Sequence, residues 1–238
     1  IYGMKGANGV ILVTTKRGTP GKTRINVSQE VGFQSYTRLP EYQNSYNYAL
    51  TYNRALYLDG KSQMFSAEDI EYYRQAVDGT LPDELRAKYV NTDWYDEVLG
   101  DNAPYYRTNV NISGGGKAVR YFTSFSYMRQ EALYDKKWTE YNDDWSTQHT
   151  FNRFNLRSNV DIDVTKHLNV SLDLGGRIDV IRQPNASRGW VFTMMAENKP
   201  TSPVTNPDGS FAMDQTYKQD NPAAMLAQTG FETNRRRN

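Results

Sequence analysis

Polar and apolar residues alternate along five stretches of this chain. In residues 23–36, TRINVSQEVGFQSY, the side chains of Ile25, Val27, Val31 and Phe33 share one face, and Arg24, Asn26, Ser28, Glu30 and Gln34 share the other. A period of two is that of a β-strand, whose successive side chains point to opposite faces. The same period recurs in 105–115, where Tyr106, Thr108, Val110 and Ile112 oppose Arg107, Asn109, Asn111 and Ser113. In 119–134 one face carries Val119, Tyr121, Thr123, Phe125 and Tyr127. In 152–164, Phe154, Leu156, Ser158, Val160 and Ile162 oppose Arg153, Asn155, Arg157, Asn159, Asp161 and Asp163. The fifth stretch, 168–181, sets Leu168, Val170, Leu172, Leu174, Ile178 and Val180 against Asn169, Ser171, Asp173, Arg177 and Asp179. Residues 114–118, GGGKA, and the pair Lys166-His167 are short connections that predict tight turns.

Between these strands the period changes. Gln43 to Leu58 carries Tyr46, Ala49, Leu50 and Tyr57 at helical spacing. Ser66 with Asp69 has the spacing of a capping box; Ile70, Tyr73 and Val77 follow, and Gly79 fits a stop. Pro82 to Val90 suggests a further short helix, with Leu85 and Tyr89 on one side. Residues 135–150 read as a polar loop with two Trp, and 183–234 as proline-marked loop with a short helix over Trp190 to Glu197. Phe231 to Asn238 reads as the start of another strand. At the beginning, GVILVTTK (9–16) predicts a buried strand that Gly18, Pro20 and Gly21 break.

Alternation alone admits two architectures: a soluble β-sandwich, whose apolar faces pack on each other, and a membrane β-barrel, whose apolar face meets lipid. The connections alternate between long and tight, as in barrels with short turns on one side and long loops on the other. If 23–36 runs outward, every long insertion lies outside. Tyr36, Tyr105, Tyr106, Tyr134, Phe151 and Phe154 then gather at the outer end, where an aromatic girdle belongs.

Composition narrows the choice little. The 238 residues include 18 Tyr, and aromatics reach 13%. Mean hydropathy is −0.78, and no run approaches the ~20 apolar residues of a membrane helix, which leaves a β-barrel open. Net charge is +1, so despite Arg235, Arg236 and Arg237 the chain does not read as a nucleic-acid binder. There is no cysteine, and His149 and His167 have no partner at ligand spacing, so neither a metal nor another cofactor is expected. Asp143-Asp144 beside Trp145 reads as a solvated pair in preference to a calcium or sugar site. Trp138, Tyr141 and Trp145 are candidates for stacking on a ligand in the outer loop, against the plainer reading that they pack the loop. Asp93 and Glu97 lack a nucleophile or base to complete a catalytic site, and no enzyme is expected.

The opening stretch carries a more specific signal. In IYGMKGANGVILVTTKRG, residues Tyr2, Gly3, Gly6, Ala7, Asn8, Gly9, Val10, Ile11, Thr14, Thr15, Lys16 and Gly18 resemble the end of the plug domain of SusC/RagA-type TonB-linked outer-membrane proteins. Looser matches follow in order at 91–99, 109–127, 151–174 and 222–231. The resemblance implies an all-β fold with helical loop insertions, part of a transmembrane antiparallel β-barrel preceded by the last strand of a plug. It divides the chain into a plug end (1–18), a linker (19–22) and the first part of a barrel (23–238) with outer loops 37–104, 135–150 and 183–234. It also implies an internal fragment of an importer of oligosaccharides or peptides in a Bacteroidota-like Gram-negative outer membrane. A SusD-like surface lipoprotein would be its partner, and the TonB complex would act through a part upstream of Ile1. The form of the motif argues against a siderophore receptor. A secreted β-rich carbohydrate-binding or adhesion module remains the alternative.

Overall fold

A computed structural model describes residues 9, 11, 13–213 and 220–238. Six strands form one antiparallel sheet in chain order: β1 (Gly21–Gln34), β2 (Ala103–Gly115), β3 (Val119–Glu131), β4 (Thr150–Thr165), β5 (Leu168–Pro184) and β6 (Phe231–Arg237). Each strand pairs with the next, so the sheet is an up-and-down meander with β1 and β6 at its edges. Residues 116–118 and 166–167 turn at one end; 35–102, 132–149 and 185–230 connect at the other. This is the segregation that the alternating connection lengths predict.

Register puts the expected apolar residues on one face. Val27 lies opposite Val110, Val110 opposite Phe125, and Phe125 opposite Leu156. Among the described residues nothing covers that face: Val27 is 61% exposed, Leu156 54% and Leu174 56%. A sandwich would need a second layer there.

The buried core lies instead in the long connections, at the end that the sequence reading takes as outer. Among the described residues, only Ala103 and Pro184, at strand ends, are buried apolar side chains that belong to a strand. In the first connection, α1 (Ser45–Leu58) starts where the Asn44 side chain accepts the Asn47 N–H at 2.8 Å. The predicted capping box opens α2 (Ala67–Asp78): Ser66 Oγ accepts from the Asp69 N–H, and Asp69 accepts from the Ser66 N–H. Gly79 ends it in the left-handed conformation, φ 73°. The two helices share a small aromatic core of their own, in which Tyr73 meets Phe65 at 5.7 Å and Tyr89 at 5.2 Å.

Four expectations need correction. Pro82 to Val90 forms only one 3-10 turn, Asp83–Leu85; the Tyr89 N–H still donates to the Leu85 carbonyl at 3.0 Å, and both side chains enter that aromatic core from one side. The loop 135–150 contains a single helical turn, α4 (Lys136–Thr139), begun by Asp135. Two further helices, α3 (Trp94–Val98) and α6 (Pro222–Gln228), stand where no helix was expected. Both are too short to show a period, and burial against α5 (Arg188–Glu197) stabilises them. Together α3, α5, α6 and Tyr134 build the main core from Trp94, Val98, Met194, Met195 and Leu226, drawn from all three outer connections. The indole N–H of Trp94 donates to the Lys199 carbonyl, and Thr147 Oγ1 to that of Leu226.

The strand expected over 9–16 is the fourth correction. Its described residues have no regular structure; Ile11 is 93% exposed and Val13 78%. A strand exists through its ladder, and among the described residues none runs beside this segment.

Candidate functional site

The polar face of the sheet is occupied where residues 15–18 lie against β3, β4 and β5. Arg17 forks between two carboxylates, Asp161 at 2.6 Å and Asp173 at 2.7 Å. Asn159, 1% exposed, donates to the Lys16 carbonyl at 2.7 Å and to Thr15 Oγ1 at 3.1 Å. A buried amide needs such partners, so this side chain and the segment fix each other. Gly18 is buried so closely on β3 that a Cβ there would lie 2.3 Å from the Tyr121 backbone nitrogen. Other charges on the face pair across strands, among them Arg153 with Asp179 at 2.8 Å and Arg120 with Asp163 at 2.7 Å.

Further out on the same face lies a cavity of about 550 Å³, roofed by the outer connections. Gln34, Gln130, Phe151, Gln183 and Arg236 reach it from the strands; Tyr36, Tyr134, His149, Arg188 and Phe192 reach it from the connections. Burial pushes the Tyr134 phenol up to about 12 and raises Tyr36 as well, so both stay neutral hydrogen-bonding groups. Burial, helped by the Arg188 charge, lowers His149. Glu131 borders the cavity from the end of β3, where its carbonyl accepts from Gln34; by register its side chain falls on the opposite face, held by Arg129 at 2.6 Å. The cavity therefore offers amides, phenols, flat rings and two cations. That set suits recognition of a polar ligand; no nucleophile and base stand together for chemistry.

The residues singled out from sequence are scattered. Tyr2, Gly3, Gly6, Ala7 and Asn8 lie outside the described residues. Thr14 is exposed, Gly9 is exposed with φ 99°, and Thr15, Lys16 and Gly18 join the contact just described. Trp138 spends its indole N–H on the Glu97 carbonyl and packs on Phe211 at 5.5 Å. Tyr141 is 52% exposed beside it, 5.4 Å from Phe211. Trp145 stands apart, 6.5 Å from Phe231. Asp93 caps α3, and Glu97 pairs with Lys137 at 3.0 Å. Asp143 and Asp144 are exposed. The two histidines flank opposite ends of β4, and among the described residues no three His, Cys, Asp or Glu side chains cluster as metal ligands would. The cavity glutamines and Arg188 carry no sequence signal; only the assembled sheet, with β1, β3 and β5 held in register, brings them together.

No protein-family model matches the chain. Among curated proteins, TonB-dependent receptor P26 of Formosa agariphila is 31% identical over 239 residues, covering 98% of this chain and 21% of that protein. TonB-dependent receptor SusC of Bacteroides thetaiotaomicron is 32% identical over 127 residues, 53% of this chain and 10% of that one. Among solved structures, the RagAB peptide importer in its closed-closed state superposes with a TM-score of 0.55 at 21% identity, over 78% of this chain and 21% of the matched chain. The chain is SusC/RagA-like. This SusC/RagA-like chain spans about a fifth of the length of the curated relatives it matches. Those relatives are named receptors, not enzymes. The RagAB likeness extends the agreement to the fold.

Proposed function

We propose that residues 23–238 form the first part of the transmembrane barrel of a TonB-dependent outer-membrane transporter. Residues 1–18 are the end of its plug and 19–22 the linker, whose Gly21 and Lys22 already belong to β1. The observation that carries this reading is the bare apolar face of the sheet, exposed from β1 to β5 while every long connection gathers at one end. Apolar residues exposed in such a continuous band need a hydrocarbon solvent. The docking of residues 15–18 on the opposite, polar face supports a lumen filled by a plug.

In this reading the outer connections and the cavity beneath them take up an oligosaccharide or a peptide. Tyr141, exposed beside Trp138, offers the ring for stacking, and Trp145 a second contact. A SusD-like surface lipoprotein closes over the loops, and TonB displaces the plug from the periplasmic side. No bond is made or broken.

Uptake decides the matter. Cells carrying the complete gene are given a labelled oligosaccharide mixture or a labelled peptide mixture, with and without the gene and with the proton gradient dissipated. Uptake of one mixture that needs both gene and gradient supports the transporter and selects its substrate class. Recovery of the protein in the soluble fraction, folded and monomeric without detergent, overturns it.

A further inference from the structure

The apolar face is uncharged except at its outer end. Taking register through all six strands, its charged residues are Arg129 and Glu131 on β3, Arg182 on β5, and Arg235 and Arg237 on β6. Arg129 and Arg235 stand in one transverse row with Tyr106, Asn152 and Val180. The next row outward holds Glu131, Thr150, Arg182 and Thr233. The next row inward holds Tyr127, Phe154, Ile178 and Arg237. Neighbouring rows are about 7 Å apart along the strands. Below these rows come Val110, Phe125 and Leu156, then Ile112, Thr123, Ser158 and Leu174, with no charge.

Four arginines thus face one glutamate. Glu131 accepts from Arg129 at 2.6 and 3.1 Å, so that pair is neutral. Arg182, Arg235 and Arg237 form no ion pair among the described residues. The Arg182 guanidinium lies 3.7 Å above the Phe231 ring, and its Nε is buried with no hydrogen-bond partner. Tyr127 and Phe154 stack at 4.9 Å at the level of Arg237, where an aromatic girdle marks the membrane boundary.

We infer that this outer rim binds the phosphate-bearing headgroup of an outer-leaflet lipid. The inference rests on the transporter reading, because it needs the face to meet lipid. Cations on a lipid-facing surface are costly toward the bilayer centre, and anionic headgroups attract them at the interface. Arginine presents a planar fork of donors that matches phosphate oxygens two at a time. The acyl chains of the same lipid would lie down the uncharged rows beneath. Contact with water alone would satisfy exposed arginines but would not discriminate between lipids.

The test uses the complete receptor in mild detergent. Native mass spectrometry follows retention of phosphatidic acid and of diacylglycerol with the same acyl chains. Phosphatidic acid should be retained and diacylglycerol released. Replacing Arg182, Arg235 and Arg237 by Gln should weaken retention about fivefold per arginine. The variant Arg24→Gln/Arg107→Gln, on the polar face, should leave it unchanged. Equal retention of the two lipids, loss of discrimination only through unfolding as read by trypsin sensitivity, or full displacement by inorganic phosphate overturns the inference. If the receptor needs detergent and supports uptake yet does not discriminate, this inference alone fails. If it is monomeric in plain buffer, the transporter reading fails first.

Discussion

Gly18 has no room for a methyl group. A Cβ there would lie 2.3 Å from the Tyr121 nitrogen and 2.4 Å from its carbonyl oxygen, both fixed in the ladders of β3 with β2 and β4. Neither atom can yield, so Gly18→Ala should push residues 15–18 off the polar face while leaving the sheet intact. Hydrogen exchange at 14–18 should then rise several-fold, with β3 and β4 unchanged; unchanged protection at 14–18 would refute the close-packing account. Gly116→Ala, with nothing within 4 Å of the added Cβ, is the control. His149 gives a second prediction. Burial, with the Arg188 charge adding to it, holds its ring below the ordinary value of 6.5. The unfolded chain therefore takes up a proton that the packed loop resists. The packing it contributes is fully present above about pH 6.5 and is lost as pH falls toward the folded value. Exchange in 132–149, corrected for intrinsic rate, should increase between about pH 7.5 and pH 5.5. His149→Gln should remove that dependence; a pH effect that survives it places the titrating group elsewhere.

At the level of elements, the Ser66 cap is the most local prediction. Its side chain satisfies the Asp69 N–H at 3.0 Å, and Asp69 in turn takes the Ser66 N–H at 2.9 Å and the Tyr89 hydroxyl at 2.7 Å. Ser66→Ala should destabilise the α1–α2 hairpin by about 1 kcal/mol, read as faster amide exchange in 67–78. A comparable loss in the main loop core would show that the two clusters are one cooperative unit. The cap was legible because its chemistry is local: a hydroxyl, a carboxylate three residues on and a closing glycine. The five alternating strands were legible for the same reason, since a period of two needs no partner to be seen. α3 and α6 left weaker marks. Asn221 before Pro222 is a sound helix start, an N-cap followed by proline in the first turn, but Pro222 reads with Pro200, Pro203 and Pro207 as a loop marker. The strand expected over 9–16 failed in the opposite direction: β-branched residues favour extension, but a ladder needs a neighbour. The outer cavity was invisible, because Gln34, Gln130 and Gln183 meet only after β1, β3 and β5 are in register.

For the whole molecule, the sheet is arranged contrary to a water-soluble protein: its core lies in its loops and its apolar face is open. That arrangement makes one substitution decisive. Leu156 sits mid-strand on β4, opposite Phe125 and in the row of Val27 and Val110, and is 54% exposed. In a water-soluble protein, arginine at such an exposed position would change stability by no more than about 0.5 kcal/mol. On the lipid face of a barrel it should cost about 2–4 kcal/mol near the midplane, less toward either interface. Asn155→Arg, one residue away on the polar face, should cost far less in the membrane. Unfolding of the complete receptor in lipid vesicles, titrated with denaturant, measures both. A large penalty for Leu156→Arg with a small one for Asn155→Arg assigns the apolar face to lipid. Equal and small penalties would mean that water, or a protein surface tolerant of charge, meets that face, and the barrel reading would fall with it.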